Sequence, residues 1–139
     1  MTSENNSSNG SAPEGKPIVQ ELSSHEMAAQ AVPTEIRLAH SREVLTVSFQ
    51  SGDVFELSAE YLRVFSPSAE VQGHSAAERK LQFGKKMVLI TEIEPVGNYA
   101  IKIMFSDGHK TGIYSWVYLY RLGAEHGELW PEYLAELEE

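Results

Sequence analysis

Asp107 and His109 flank Gly108 in the run FSDGHK, and Glu70 and His74 lie close together in SPSAEVQGHS. Imidazoles and carboxylates are the ligand types of a non-haem iron site, so these residues are the first candidates for chemistry. Their spacing alone does not force them to converge. Asp107 before a glycine is also what a tight turn selects, and His109 stands where a strand would restart. A metal-binding accessory role, iron or zinc held by His109, His74 and Asp107, is therefore the runner-up reading. Nucleophilic chemistry has less support, because Ser66 and Ser68 flank Pro67 without a Gly-x-Ser-x-Gly elbow. The glycine-containing runs VQGHS and QFGKK match no phosphate-cradling pattern. The chain has no cysteine, which excludes disulfides, thiolate metal sites and a cysteine nucleophile.

A basic group is more suggestive. Arg79, Lys80, Lys85 and Lys86, with Arg63 nearby in sequence, could meet an anionic partner, the chain's own acidic end, or only solvent. Tyr114, Trp116, Tyr118 and Tyr120 form an aromatic cluster whose expected work is packing.

The elements that must hold these residues centre on VGNYAIKIMFSDGHKTGIYSW, residues 96–116. Tyr99, Ile101, Ile103 and Phe105 alternate with Ala100, Lys102 and Met104, the pattern of a half-buried strand. Asp107-Gly108 supplies a hairpin turn, Thr111–Tyr114 the returning strand, and Ser115 an N-cap for a helix from Trp116. Gly123 is placed to end that helix. Upstream, EIRLAH, VLTVSF and the strand holding Phe55 and Leu57 read as an antiparallel meander, with turns at Ser41-Arg42 and Ser51-Gly52-Asp53. Ala59–Phe65 suits a helical turn. About twenty residues without clear period follow, in which Ser75–Leu81 could form a short helix. Met87–Ile93 is apolar on both faces, which predicts a central strand ended by Pro95. Pro131 suits the first turn of a last helix, with Trp130, Tyr133, Leu134 and Leu137 as its apolar side. The glutamates near its end oppose the helix dipole and predict fraying.

The sequence therefore predicts an α+β fold: a small, mainly antiparallel twisted sheet of about six strands with one or two C-terminal helices. Its 139 residues and 42% hydrophobic content suit one domain with tails. Residues 1–33 are polar and are expected to be disordered, residues 34–123 form the domain, and residues 124–139 an acidic C-terminal helix or tail. The net charge of -9 belongs to the ends. Residues 1–33 hold four acids against Lys16 and residues 124–139 hold six glutamates and no base, whereas residues 34–123 balance ten acids with ten bases. That distribution argues against nucleic acid as the main partner. Neither a secretory leader nor an apolar run of membrane-spanning length appears, so a cytoplasmic protein without membrane contact is expected.

Several of these residues together carry a family pattern. Tyr61-Leu62-Arg63, Ser66-Pro67-Ser68-Ala69-Glu70-Val71, Gly73-His74, Gly97-Asn98-Tyr99-Ala100, Asp107-Gly108-His109 and Gly112-Ile113-Tyr114-Ser115-Trp116 resemble the gamma-butyrobetaine hydroxylase-like N-terminal domain family over roughly residues 34–123. In carnitine-synthesis hydroxylases this domain precedes an oxygenase domain and binds zinc through a Cys-x-Cys-x-x-Cys run and a later histidine. The resemblance places those cysteine positions at Ser66, Ser68 and Val71, and the histidine at His109. Serine hydroxyls and a valine do not replace thiolates, so no cofactor is expected, beyond weak zinc or iron binding. The oxygenase domain that carries iron and 2-oxoglutarate is not in this sequence, so hydroxylase activity is not expected. The family domain also occurs joined to P-loop ATPases of the iron–sulfur carrier type. The resemblance thus implies a non-catalytic interaction module whose partner is a protein, such as an iron–sulfur carrier ATPase or an oxygenase. The surface expected to meet it runs from Arg63 to Lys86.

Overall fold

The computed structural model describes residues 31–72, 82 and 84–138. The expected disordered tail at residues 1–33 falls mostly outside them, as do His74, Arg79, Lys80 and the Ser75–Leu81 segment. Core contacts are made ahead of Pro33: Ala31 packs against the core, and Val32 O accepts the Gln50 N–H at 2.8 Å.

Six strands form two antiparallel three-stranded sheets. In the first, β1 (Pro33–Leu38), β2 (Val44–Phe49) and β3 (Val54–Ser58) follow in order, with Leu45 opposite both Leu38 and Leu57. The alternation of VLTVSF buries Leu45, Val47 and Phe49, as a strand with one solvated face requires. In the second sheet, β4 (Ile90–Val96), β5 (Ala100–Phe105) and β6 (Gly112–Ser115) follow in order, with Ile103 opposite Ile93 and Gly112. The two sheets meet at the β1–β2 turn. Arg42 has a φ of 66°, its carbonyl accepts the Ile90 N–H at 2.9 Å, and its guanidinium donates to Thr91 O at 2.9 Å.

Two helices follow the first sheet, α1 (Ala59–Val64) and the single turn α2 (Ala69–Gln72); two more follow the second, α3 (Trp116–Ala124) and α4 (His126–Leu137). Ser58 caps α1 and Ser115 caps α3, each hydroxyl accepting a backbone N–H three residues on. Tyr120 on α3 donates to Asp53 in the β2–β3 turn at 2.6 Å, and Phe49, Phe55 and Tyr120 pack edge to face.

Five sequence expectations need correction. The strand predicted at Met87–Ile93 lies at Ile90–Val96, and it is an edge rather than the centre of its sheet. Met87 is 83% exposed, because only Val88 and Ile90 of that apolar run turn fully inward. Pro95 does not end the strand but sits within it opposite Ile101, which an edge tolerates because one side of the ladder needs no donor. Gly123 is not a terminator. It lies inside α3 against the Phe55 ring, where a Cβ would stand 2.2 Å from the nearest ring carbon. Pro131 is mid-helix in α4, which starts five residues earlier. That helix is also docked along its length: Tyr133 is buried in the core, and Trp130 stacks on His126 and meets Tyr61 edge-on. Aromatic burial thus outweighs the unfavourable end charges.

Gly123→Ala should lower the unfolding free energy by about 1–3 kcal/mol, because the Phe55 ring must shift to admit a methyl group. Urea denaturation checks this, and an unchanged midpoint would show that the helix can slide on β3.

A hydroxyl and imidazole cluster as the candidate functional site

The segment after α1 meets the β5–β6 hairpin at one point. Phe65 ends α1, and Ser66-Pro67-Ser68 leads into α2, where Ser68 Oγ accepts the Glu70 N–H at 3.1 Å. Across from it, Gly108 takes a φ of 92°, and Asp107 Oδ1 accepts the His109 N–H at 3.1 Å. This turn directs the His109 imidazole inward, beside Phe105.

The imidazole Nε2 lies 2.9 Å from Ser66 Oγ, and Nδ1 lies 3.3 Å from Glu70 Oε1. A carboxylate can only accept, so Nδ1 carries the ring proton toward Glu70 and Nε2 accepts from the Ser66 hydroxyl. Ser66 Oγ in turn accepts the Ser68 N–H at 3.2 Å. Ser68 Oγ and Thr111 Oγ1 are 2.6 Å apart, and Thr111 also reaches Glu70 at 3.3 Å. Gly112 makes room for the cluster, since a Cβ there would lie 2.6 Å from Ser66 Oγ. Two tyrosines fix the same segment from the other side. Tyr114 donates to Leu62 O and Tyr118 to Phe65 O, each at 2.5 Å. Burial pushes the Tyr114 hydroxyl far above its ordinary pKa, so it remains a donor at physiological pH.

A second cluster adjoins the first. Arg63 Nε and Lys85 Nζ both contact Asp107 Oδ2, at 2.9 Å and 2.7 Å. Burial alone would raise the Asp107 pKa. Hydrogen bonds from Lys85, the His109 N–H and Arg63, with the Arg63 charge, outweigh it and bring it down to about 2. His109 moves below its ordinary value through burial first and the Arg63 charge second, with Lys85 adding to them. Glu70 and Asp107 oppose the shift without cancelling it, which keeps the ring neutral at pH 7.

Ser66, His109 and Glu70 have the contacts of a nucleophile, its base and an orienting acid. Their exposure runs the wrong way for that chemistry. Ser66 is 0% exposed, whereas the Glu70 side chain is 67% exposed, so the hydroxyl faces protein and the acid faces water. The arrangement joins two chain segments and presents no reactive atom.

The candidate residues are distributed as follows. His109 and Asp107 lie together, but the Asp107 carboxylate binds cations and a backbone N–H while both imidazole nitrogens face Ser66 and Glu70. Among the described residues no group of three His, Asp or Glu side chains could hold a metal ion. Ser66, Ser68, Val71 and His109, the positions that resemble zinc ligands, are all buried. They offer two hydroxyls engaged with protein partners, an isopropyl group and one imidazole, which do not fit zinc. Of the basic residues, Arg63 is 7% exposed and turned onto Asp107, Lys85 is mostly covered, and Lys86 is exposed. Thr111, Gly112 and the carbonyl-anchoring Tyr114 and Tyr118 were not read as part of the site. The signals present in the sequence are the aromatic cluster for Tyr114 and Tyr118 and the family pattern for Gly112.

The fold and the cluster together define a small α+β domain in which polar contacts join the α1–α2 segment to the β5–β6 hairpin. Residues 36–120 match the family described as gamma-butyrobetaine hydroxylase-like, N-terminal, and the chain belongs to that family. It is similar to a protein of unknown function of the DUF971 family from Acidithiobacillus ferrooxidans ATCC 23270, known from a crystal structure at 1.93 Å. The identity is 41%, over 67% of this chain and 93% of that one, with a TM-score of 0.56. Two solution NMR structures are also similar. One is 44% identical over 78% of this chain and 86% of its own, with a TM-score of 0.68. The other is 43% identical over 88% and 85%, with a TM-score of 0.67. No curated protein matches the chain. Among the described residues no helix is long and apolar enough to cross a membrane.

Two predictions follow from the cluster. Because the folded pKa of His109 is depressed, the unfolded chain binds its proton first. Stability should be full above the ordinary value of 6.5 and fall as pH drops through the lower folded value. Urea midpoints at about pH 7.5 and about pH 5 should differ more for the parent than for His109→Gln, and equal slopes would remove His109 from the linkage. The triple variant S66C/S68C/V71C should bind one zinc tightly with His109 as fourth ligand, whereas the parent should show no fixed stoichiometry. Cobalt(II) absorption reads this directly. Failure to form a one-to-one complex would mean that the four positions do not converge.

Proposed function

We propose that the chain is a non-catalytic interaction module that presents a basic surface to a protein partner. One observation carries the reading. The hydroxyls and the imidazole that could have done chemistry are bonded to each other inside the domain, with Ser66 fully covered. Groups held that way stabilise a fold, which leaves recognition to the surface.

Lys86 and the exposed Met87 are the described part of that surface, with Arg79 and Lys80 on the same chain segment. An exposed lysine beside an exposed methionine favours a partner with an acidic patch around an apolar contact. The partner classes the family resemblance suggests are a P-loop ATPase of the iron–sulfur carrier type and an oxygenase.

The triple variant R79E/K80E/K86E leaves the Lys85–Asp107 contact in place. Against a purified carrier-type ATPase, biolayer interferometry should show saturable binding by the parent and roughly tenfold weaker binding by the variant, with an unchanged melting temperature. Equal binding at physiological salt would move the contact elsewhere on the domain. No binding by the parent would remove this partner class and turn the test to the oxygenase.

A further inference from the structure

Arg63 carries an unmet requirement. It is 7% exposed, and its Nη1 is buried without a hydrogen-bond partner. A buried guanidinium nitrogen of this kind costs more than a neutral orphan, so it calls for an acceptor. The local charge is unbalanced as well. Arg63 and Lys85 converge on a single oxygen of Asp107, which offsets one positive charge of the two. Among the described residues no neighbour offsets the second: His109 is neutral, and the Glu70 carboxylate at its Nδ1 is mostly in water.

We propose that Arg63 and Lys85 form an oxyanion site that takes one carboxylate side chain of the protein partner. This rests on the interaction-module reading and narrows it to one anchoring contact. A second carboxylate would complete a cluster of two cations and two anions, and would give Nη1 its acceptor. Arginine suits the role because its fork can bind Asp107 through Nε while offering another nitrogen to a second group. The rim of the pair reaches solvent through Lys85 and Asp107, whose side chains are 20% and 24% exposed. An incoming chain has to enter there and lodge between the ammonium and the guanidinium.

The test uses the full chain with acetate as probe and the Arg63 Nε–H resonance as readout, at constant ionic strength set with chloride. Acetate should shift that resonance saturably. Lys85→Met, which leaves the Arg63–Asp107 pair in place, should weaken binding roughly tenfold. Asp107→Asn keeps an acceptor for the His109 N–H but removes the competing charge, so it should tighten binding by a similar factor. A linear shift, or one that chloride reproduces, would overturn the site. Inorganic phosphate binding roughly tenfold more tightly than acetate would overturn the carboxylate assignment in favour of a free anion. Either failure would leave the R79E/K80E/K86E result standing, because that surface excludes both Arg63 and Lys85.

Discussion

A polar group removed from water must find a partner inside the protein, and at the junction of helix α1 with the β5–β6 hairpin this constraint governs the design. Ser66, Ser68, Thr111, Glu70 and His109 answer one another across segments about forty residues apart in sequence. Each bond is modest alone. Together they fix the register between the two halves, because loss of Ser66, Ser68 or His109 leaves a buried donor or acceptor without a partner.

The rest of the structure is arranged to keep that junction dry. Tyr114 and Tyr118 occupy the carbonyls of Leu62 and Phe65 that the end of α1 would otherwise leave open. Gly112 supplies the space in which Ser66 sits, and Asp107 holds the hairpin turn while absorbing the Arg63 charge. Helix α4 closes the opposite flank through Tyr133, whose hydroxyl donates to Glu60 at 2.8 Å. The same contacts that make the domain cohesive keep the Ser66 hydroxyl and the His109 imidazole turned toward each other and away from water.

Much of this was legible where local rules act. The hairpin glycines, the cap Ser115, and the alternation in VLTVSF and AIKIMF depend on neighbours in sequence, and all appear where those rules place them. The failures share a different cause. The run MVLI offers two equivalent faces, and pairing of Ile90 with Phe105 chose between them. Gly123 looks like a terminator until the Phe55 ring is set against it, and the last helix looks frayed until its aromatics find Tyr61. The cluster itself was half visible. Ser66, Ser68 and His109 stood out through a family pattern, whereas Thr111 and Gly112 acquire meaning only when the chain brings them beside Ser66.

The proline in strand β4 has a consequence for how this domain behaves in a crowd. An exposed sheet edge can template a strand from another molecule, and repeated templating leads to fibrils. Pro95 removes an amide from a ladder position on that edge, while Glu92 and Glu94 line the same strand with like charge. The first sheet is blunted in a related way, with Pro33 at the start of β1 and the Glu35–Arg37 pair along it. Two short sheets with open sides would ordinarily invite polymerisation. These side chains make the β4 and β1 edges poor templates for a strand from another molecule.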